Sequence, residues 1–302
     1  MVSAPKLGRL RVHSVLYGNE SARIAQAIAH LDRAAEIAKR AGIFEQINLI
    51  YGDCSPRDDL RDTVLAANEG SSGLDRTEYV FFDANLGSAQ GHNRLLEVGD
   101  SEFVLIMNPD IMLAPNAIVE LARAFDDAKV GVAEAKQLPV EHPKVYDPVS
   151  GETPWAATAC TLISRKVIQV LDGFDFRTFF LYCDDVDFSW RAKLAGYKVV
   201  YRPSAAAFHD KRLGAGGSWV VGGAEKYYSA EAALLIAYKY SRNDLVTQIS
   251  AHFRESGDEV WLKALTEFER RREAGVLPEQ LDCDHKVATF INGAYATHRF
   301  AM

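Results

Sequence analysis

The chain has 302 residues, 48% of them hydrophobic and 25% charged, an ordinary globular mix with enough length for one large core or two smaller ones. Its 34 basic and 41 acidic side chains leave a net charge of −7, which argues against a nucleic-acid binder, since those present a net basic face. Cys54, Cys160, Cys183 and Cys283 form no CxxC pair, so neither zinc-ribbon spacing nor a disulfide framework is expected. The N-terminus has no apolar signal-peptide core, and no apolar run nears the roughly 18–20 residues of a membrane span. These features predict reduced thiols and a cytoplasmic chain, with a peripheral contact at the inner face of a membrane left open.

Arg9–Tyr17 predicts a buried strand that ends at Gly18. Glu20–Ala41 repeats Ile24, Ile28, Leu31, Ala35 and Ala38 along one helical face, and Gly42 stops it. A strand is expected at Ile47–Tyr51, a helix at Asp58–Asn68 and a third strand at Glu78–Phe82. A helix should begin within Gly87–Asn93 and run to Val98, before a fourth strand at Phe103–Met107 and a helix at Asn116–Phe125. This βαβα order predicts an open, mostly parallel sheet covered by helices. Ligands of such sheets bind beyond the carboxyl ends of the strands. The residues there are Tyr17 and Asn19, then Asp53, then Asn85, then Asn108 and Asp110. The second half is less regular. It predicts strands at Trp155–Ile163 and Lys198–Tyr201 and helices at Asp184–Ala195, Tyr227–Tyr240 and Glu259–Arg272, with a mobile Gly-rich stretch at Leu213–Gly223.

Four segments carry chemistry. Phe103–Asp110 delivers a carboxylate at a strand end, a good platform for a hard cation that bridges phosphates; taken alone, Asn-Pro-Asp is also strong turn chemistry. Asn85–Asn93 sets two glycines and two asparagines before a helix, where backbone can approach a nucleotide or simply start a helix. Asp184, Asp185 and Asp187 crowd one helix start. Acids there offset the helix dipole, and Asp184 with Asp187 has capping-pair spacing. Asp185 lies outside that pairing and is the candidate general base. His209 precedes Lys211, Arg212 and a glycine run, either a structural histidine or a metal ligand beside a phosphate-facing cationic lid.

In order, Asn85-x-Gly87-x-x-x-Gly91-x-Asn93, Asn108-Pro109-Asp110, Gly173-Phe174-Asp175, Asp184-Asp185-x-Asp187 and His209 resemble the family 2 glycosyltransferases of the GT-A fold, especially the rhamnosyltransferase-like branch. The resemblance covers roughly Arg11 to Leu245. It implies an α/β GT-A fold over 1–224, with a donor half to about 110 and an acceptor half to about 224, then a helical C-terminal extension over 225–302. It implies an inverting, metal-dependent transfer from a nucleoside diphosphate sugar, dTDP-rhamnose or a UDP-sugar, to a glycan or lipid-linked glycan of the kind used in cell-wall polysaccharide synthesis. Asp110 and His209 would hold Mg²⁺ or Mn²⁺, with Asn108 in place of the more usual Asp. Asp53 and Tyr17 would meet the nucleoside. Asn19, Asn85, Gly91, Asn93, Lys211 and Arg212 would complete the donor side. Asp185 would be the base, with Trp155 and Asp184 on the acceptor side; for Trp155 a core role is equally open. A sugar-nucleotide nucleotidyltransferase and a non-catalytic nucleotide-sugar- or carbohydrate-binding module remain the alternatives. Against the first, the segment after the first strand, LYGNES, is no basic Gly-rich phosphate loop.

Overall fold

The computed structural model describes residues 5–141, 144–209 and 222–296. Within them an eight-stranded sheet carries the fold. Its strands are β1 (Gly8–Leu16), β2 (Phe44–Asp53), β3 (Arg76–Phe81), β4 (Phe103–Met107), β5 (Ile111–Leu113), β6 (Val130–Leu138), β7 (Cys160–Ser164) and β8 (Lys198–His209). Their spatial order is β3-β2-β1-β4-β7-β6-β8-β5. The first four strands run parallel, as do β6 and β8. β7 is antiparallel to both of its neighbours, and β5 is antiparallel to β8. Two reversals across β7 restore the original direction, so β1–β4, β6 and β8 all end on one edge.

Helices cover both faces. α1 (Ser21–Arg40), α2 (Arg61–Leu65) and α4 (Ala117–Ala122) pack on one side. α3 (Gly87–Leu96), α5 (Arg165–Leu171) and α6 (Asp184–Leu194) pack on the other. The pleat of β4 serves both cores: Leu105 and Met107 join the first, Val104 and Ile106 the second. A third core joins α6 to α7 (Gly223–Lys239), α8 (Asn243–Ser256) and α9 (Glu259–Glu273). There Trp190 meets the Tyr240 ring edge to face at 4.7 Å.

β4 covers the expected residues, and α1 and α6 lie within one residue of expectation at each end. The helices expected at Asp58–Asn68 and Asn116–Phe125 are shorter, each ending in a 3₁₀ turn, at Ala66–Asn68 and Arg123–Asp126. The strand expected from Trp155 begins only at Cys160. Before it the chain turns, with Thr161 Oγ1 donating to Ala157 O at 2.5 Å. β8 runs on past Tyr201 to His209, held between β6 and β5. Pro203 falls where the register jumps from Arg202 to Ala206, the kind of irregularity that accepts a residue without a backbone donor. β5, β6, α5 and α8 are additions to the expected elements. α7 starts at Gly223, so the expected boundary at 224 falls in its first turn.

Candidate active site

A cleft of about 580 Å³ opens at the carboxyl edge of the sheet. Val15, Tyr17 and Asn19 line it from β1, and Asn108, Pro109 and Asp110 from β4. Asn85, Gly87, Ser88 and His92 line it from α3 and the turn before it. Phe180, Leu181, Ala224 and Tyr228 form the opposite wall, where the Phe180 and Tyr228 rings lie 4.9 Å apart.

The antiparallel pairing of β5 with β8 sets Ile111 opposite His209. Asp110, one residue earlier, therefore meets a histidine ninety-nine positions away in sequence, with Asp110 Oδ2 3.3 Å from His209 Nε2. The other ring nitrogen, Nδ1, lies 2.8 Å from Gln137 Oε1. An amide oxygen only accepts, so Nδ1 carries the proton and Nε2 faces the carboxylate. With a proton between them the two form an ion pair. With a divalent cation they would supply one nitrogen and one oxygen ligand, leaving the remaining positions to phosphate and water oxygens. Among the described residues no third His, Cys, Asp or Glu joins them.

The rim is built from hydrogen bonds. Tyr17, 58% exposed, donates its amide to Asn19 Oδ1 at 2.9 Å. Gly18 donates to Ser55 Oγ at 2.9 Å, and Ser55 donates its amide to Asp53 Oδ1 at 2.8 Å. The second Asp53 oxygen accepts from the Tyr79 hydroxyl at 2.5 Å, and burial followed by this carboxylate pushes the Tyr79 phenol up. Asp53 is thus fully buried with both oxygens engaged. It braces the rim through Ser55 and does not itself line the cleft.

Other expected site residues also serve the scaffold. Gly91 lets α3 lie on β1, since a Cβ there would come within 2.9 Å of Val15 Cγ2. Asn93 brackets the Phe174 backbone, donating to its carbonyl at 2.8 Å and accepting its amide at 2.9 Å. Trp155 is buried, edge-on to Tyr295 at 5.5 Å, with the Lys144 ammonium 3.7 Å from its ring centre. It belongs to the core that α6 shares with the C-terminal helices. Lys211 and Arg212 lie outside the described residues.

Three aspartates open α6. Asp187 is fully buried and accepts from Arg191 Nε at 2.7 Å and Tyr240 OH at 3.0 Å, with Lys239 Nζ at 2.6 Å. Asp185 is half-buried at the first turn, where its Oδ1 accepts the Val186 amide at 2.8 Å. Asp184 is 4% exposed. Burial, and then the charge of Asp185, push its carboxyl up to about 7. Neither Asp184 nor Asp185 lines the cleft, whereas Ser88 and Leu181 do.

Sequence reasoning missed His92, Ser88, Gln137 and Tyr228. Helical spacing held a signal for the first two: Ser88 and His92 are four apart and share a face of α3 that Asn93, five residues on from Ser88, does not. Burial pushes the His92 imidazole down to about 4, so it meets the cleft as a neutral hydrogen-bonding group. Gln137 shows only through strand register, since it pairs with Ala207 two residues from His209.

No protein-family model matches the chain. A stretch of 65 residues is 37% identical to the N-acetylglucosaminyl-diphospho-decaprenol L-rhamnosyltransferase of Mycobacterium tuberculosis, in strains CDC 1551 and H37Rv alike. It covers 22% of this chain and 21% of that protein, so the match spans about a fifth of the curated relative. Among solved structures, the mannosyltransferase PcManGT of Pyrobaculum calidifontis with GDP-Man and Mn²⁺ aligns with a TM-score of 0.55 at 16% identity, over 89% of this chain and 76% of that one. GalNAc-T7 with UDP, GalNAc and Mn²⁺ aligns at 0.64 and 12% identity, over 98% and 59%. TarS of S. aureus aligns at 0.52 and 15% identity, over 77% and 39%. The chain has the α/β fold of the GT-A glycosyltransferases, and within that fold its motifs and its local sequence resemble the family 2, rhamnosyltransferase-like branch.

Proposed function

We propose that the chain is an inverting glycosyltransferase that moves a sugar from a nucleoside diphosphate sugar, dTDP-rhamnose or a UDP-sugar, to a hydroxyl of a glycan or lipid-linked glycan. The observation that carries this reading is the Asp110–His209 pair, 3.3 Å apart, in a cleft at the carboxyl edge of the sheet. That edge is where nucleotides bind in open α/β folds. Asp110 and His209 would hold the divalent cation, and a bound cation offsets the charge that grows on the diphosphate leaving group.

The chain's own residues supply the rest. The amides of Asn85 and Asn108 and the neutral ring of His92 give the donor directional hydrogen bonds without adding charge. Asp53, Ser55 and Asn19 hold the rim so that the exposed Tyr17 ring can cover the nucleoside. The Phe180–Tyr228 wall offers an apolar face for a sugar ring on the acceptor side. Asp185 accepts the proton of the acceptor hydroxyl as that oxygen attacks the anomeric carbon, opposite the leaving diphosphate. One displacement inverts the centre and needs one base.

A thermal-shift screen of dTDP-rhamnose and UDP-sugars with Mn²⁺ or Mg²⁺ tests the reading. A donor at about 100 times its Kd adds roughly 2.7 kcal/mol of stability. Release of nucleoside diphosphate on adding a lipid-linked glycan should follow. Pyrophosphate release from a nucleoside triphosphate and a sugar phosphate would instead mark a nucleotidyltransferase, and donor binding without turnover a binding module.

A further inference from the structure

Among the described residues, one large apolar side chain of the eight strands is exposed to solvent: Phe208, at 49%. Its place follows from register. β8 pairs Phe208 with Leu138 of β6 on one side and with Met112 of β5 on the other. Paired residues share a face of a sheet, so the three stand in a row across three strands, with Leu138 and Met112 half-buried. Their chain neighbours Gln137, Ala207, His209 and Ile111 belong to the opposite face and are buried. The irregularity between Arg202 and Ala206 sets this phase. Val200 before it, and Ala205 and Ala207 after it, join the same core, so the alternation slips by one position there. The slip turns His209 toward Asp110 and leaves Phe208 on the other side.

That other side is covered by α6 nearer the start of β8, where Val132 and Val199 are buried with Phe188 and Ala192. Because α6 leads into β8, its first turn, with Asp185, lies toward the end at which Phe208 stands. Two residues back along β6 and on the same face, Lys136 pairs with Ala206. Lys136 is half-buried and makes no ion pair among the described residues. Glu134, the carboxylate of β6 on this face, is taken by Lys144 at 2.7 Å. Two residues span about 6.6 Å of strand and adjacent strands lie about 4.8 Å apart, so the Lys136 and Phe208 backbones are about 8 Å apart. A sugar ring and the phosphate on it fill such a span.

We propose that Phe208, Met112 and Leu138 form a platform for the acceptor's sugar ring and that Lys136 receives its phosphate, so that the acceptor is a glycosyl phosphate or diphosphate rather than a neutral glycan. The inference rests on the glycosyltransferase reading of the cleft. The C–H groups on one face of a sugar ring are apolar and gain by covering an exposed aromatic ring, while the hydroxyls at its edge stay free to react. A half-buried ammonium without a carboxylate favours an anion, and its charge-assisted hydrogen bonds to phosphate oxygens are of the strong kind. The row is continuous with the cleft, since Phe208 adjoins His209 and Met112 is two residues from Asp110.

Saturation-transfer NMR tests this with two probes, a short-chain alkyl N-acetylglucosaminyl diphosphate and methyl N-acetylglucosaminide, each with and without UDP and Mn²⁺. The parent should bind the diphosphate about tenfold more tightly than the neutral glycoside, and salt should erode the difference. Lys136→Met should remove that preference and leave the glycoside's affinity unchanged. Phe208→Ala and Phe208→Leu should weaken both probes about fivefold, whereas Phe208→Trp should retain them. In turnover, Lys136→Met and Phe208→Ala should raise the acceptor KM with the donor KM unchanged. The donor's Mn²⁺-dependent thermal shift should stay at the parent's value in all four variants, which separates loss of acceptor from damage to His209. A parent that binds neither probe, or Phe208→Leu as good as Phe208→Trp, would overturn the platform. So would a dimer in sedimentation that Phe208→Ala abolishes, since a second copy would then cover the row. Transfer to a lipid-linked glycan with acceptor KM unmoved in Phe208→Ala and Lys136→Met would remove the platform and leave the glycosyltransferase reading intact. Probe binding that follows the variants, in a parent that turns over no donor, would count against that reading and leave the platform standing.

Discussion

Asp184, Asp185 and Asp187 share one helical turn and differ in surroundings. Asp187 is surrounded by cations and a hydroxyl; Asp184 is buried; Asp185 is half-buried. Only the third has the access a proton acceptor needs. Asp185→Asn should therefore cut turnover by about 10²–10⁴-fold, while the donor's thermal shift stays at the parent's value. Near-normal turnover would remove Asp185 from the mechanism. Asp184 makes a separate prediction about pH. Its carboxyl is raised to about 7 in the fold, against about 3.9 in an unfolded chain. Between those values the folded state holds a proton that the unfolded state has released, so stability falls as pH rises. The contribution is complete below the unfolded value and gone above about 7. The Tm of Asp184→Asn, compared with the parent's, should gain steadily from pH 4 to pH 7 and then level off. A constant difference across that range would mean that Asp184 titrates normally. At the proposed metal seat, Asp110→Ala or His209→Ala should abolish the Mn²⁺-dependent part of the donor's thermal shift. A Mn²⁺ effect equal to the parent's in both variants would place the cation elsewhere.

At the scale of elements, α6 and α7 are joined by charge as well as by packing. Lys239 is 5% exposed and lies 2.7 Å from Asp175 and 2.6 Å from Asp187. Lys239→Met would leave the half-buried Asp175 without its cation and take one of two cations from the fully buried Asp187; breaking a buried pair costs about 3–5 kcal/mol. Lys226 pairs with Asp258 at the surface, where a salt bridge contributes about 0–1 kcal/mol, so Lys226→Met is the control. Urea midpoints at unchanged slope would give both values, and equal losses would contradict the burial argument. Elements were legible in the sequence where one face is apolar and the other polar. α1 shows this over five turns; β4, apolar on both faces, was legible instead as an apolar run cut off by Asn-Pro-Asp. β6 was not legible. Val-Gly-Val-Ala-Glu-Ala-Lys is buried at nearly every position, so it lacks alternation, and Glu134 is accommodated there by Lys144 at 2.7 Å. The end of β8 was missed because Ser-Ala-Ala-Ala has little strand propensity of its own; neighbours on both sides hold it. The motif over Asn85–Asn93 was visible, but its work was divided in a way spacing alone did not reveal: one helical face meets the cleft and the other clamps Phe174.

Across the whole molecule, the parallel strands deliver Tyr17, Cys54 and Asn108 to one edge, and β8 returns to bring His209 to the same place. The acidic turn is not part of that edge. It depends on α3 from one side and on the C-terminal helices from the other. Phe179, Val186 and Trp190 are buried in the core that α7, α8 and α9 complete, together with Tyr240 and Phe268. A chain ended after residue 222 would keep the sheet and the Asp110–His209 pair, since both lie within 8–209. It would expose Trp190 and Phe179, strip Lys239 and Tyr240 from Asp187, and leave the left-handed turn at Tyr182–Cys183 without its backing. Fully burying one such side chain contributes about 1.5–3 kcal/mol, so losing several together removes a large share of the local stability of α6 and its turn. The truncated chain should bind ANS and lose amide protection over α6 before it loses protection over β1 and β4. Should it instead unfold in one step at the parent's Tm, with α6 still protected, the C-terminal helices would be an accessory to the site rather than the support of its acidic turn.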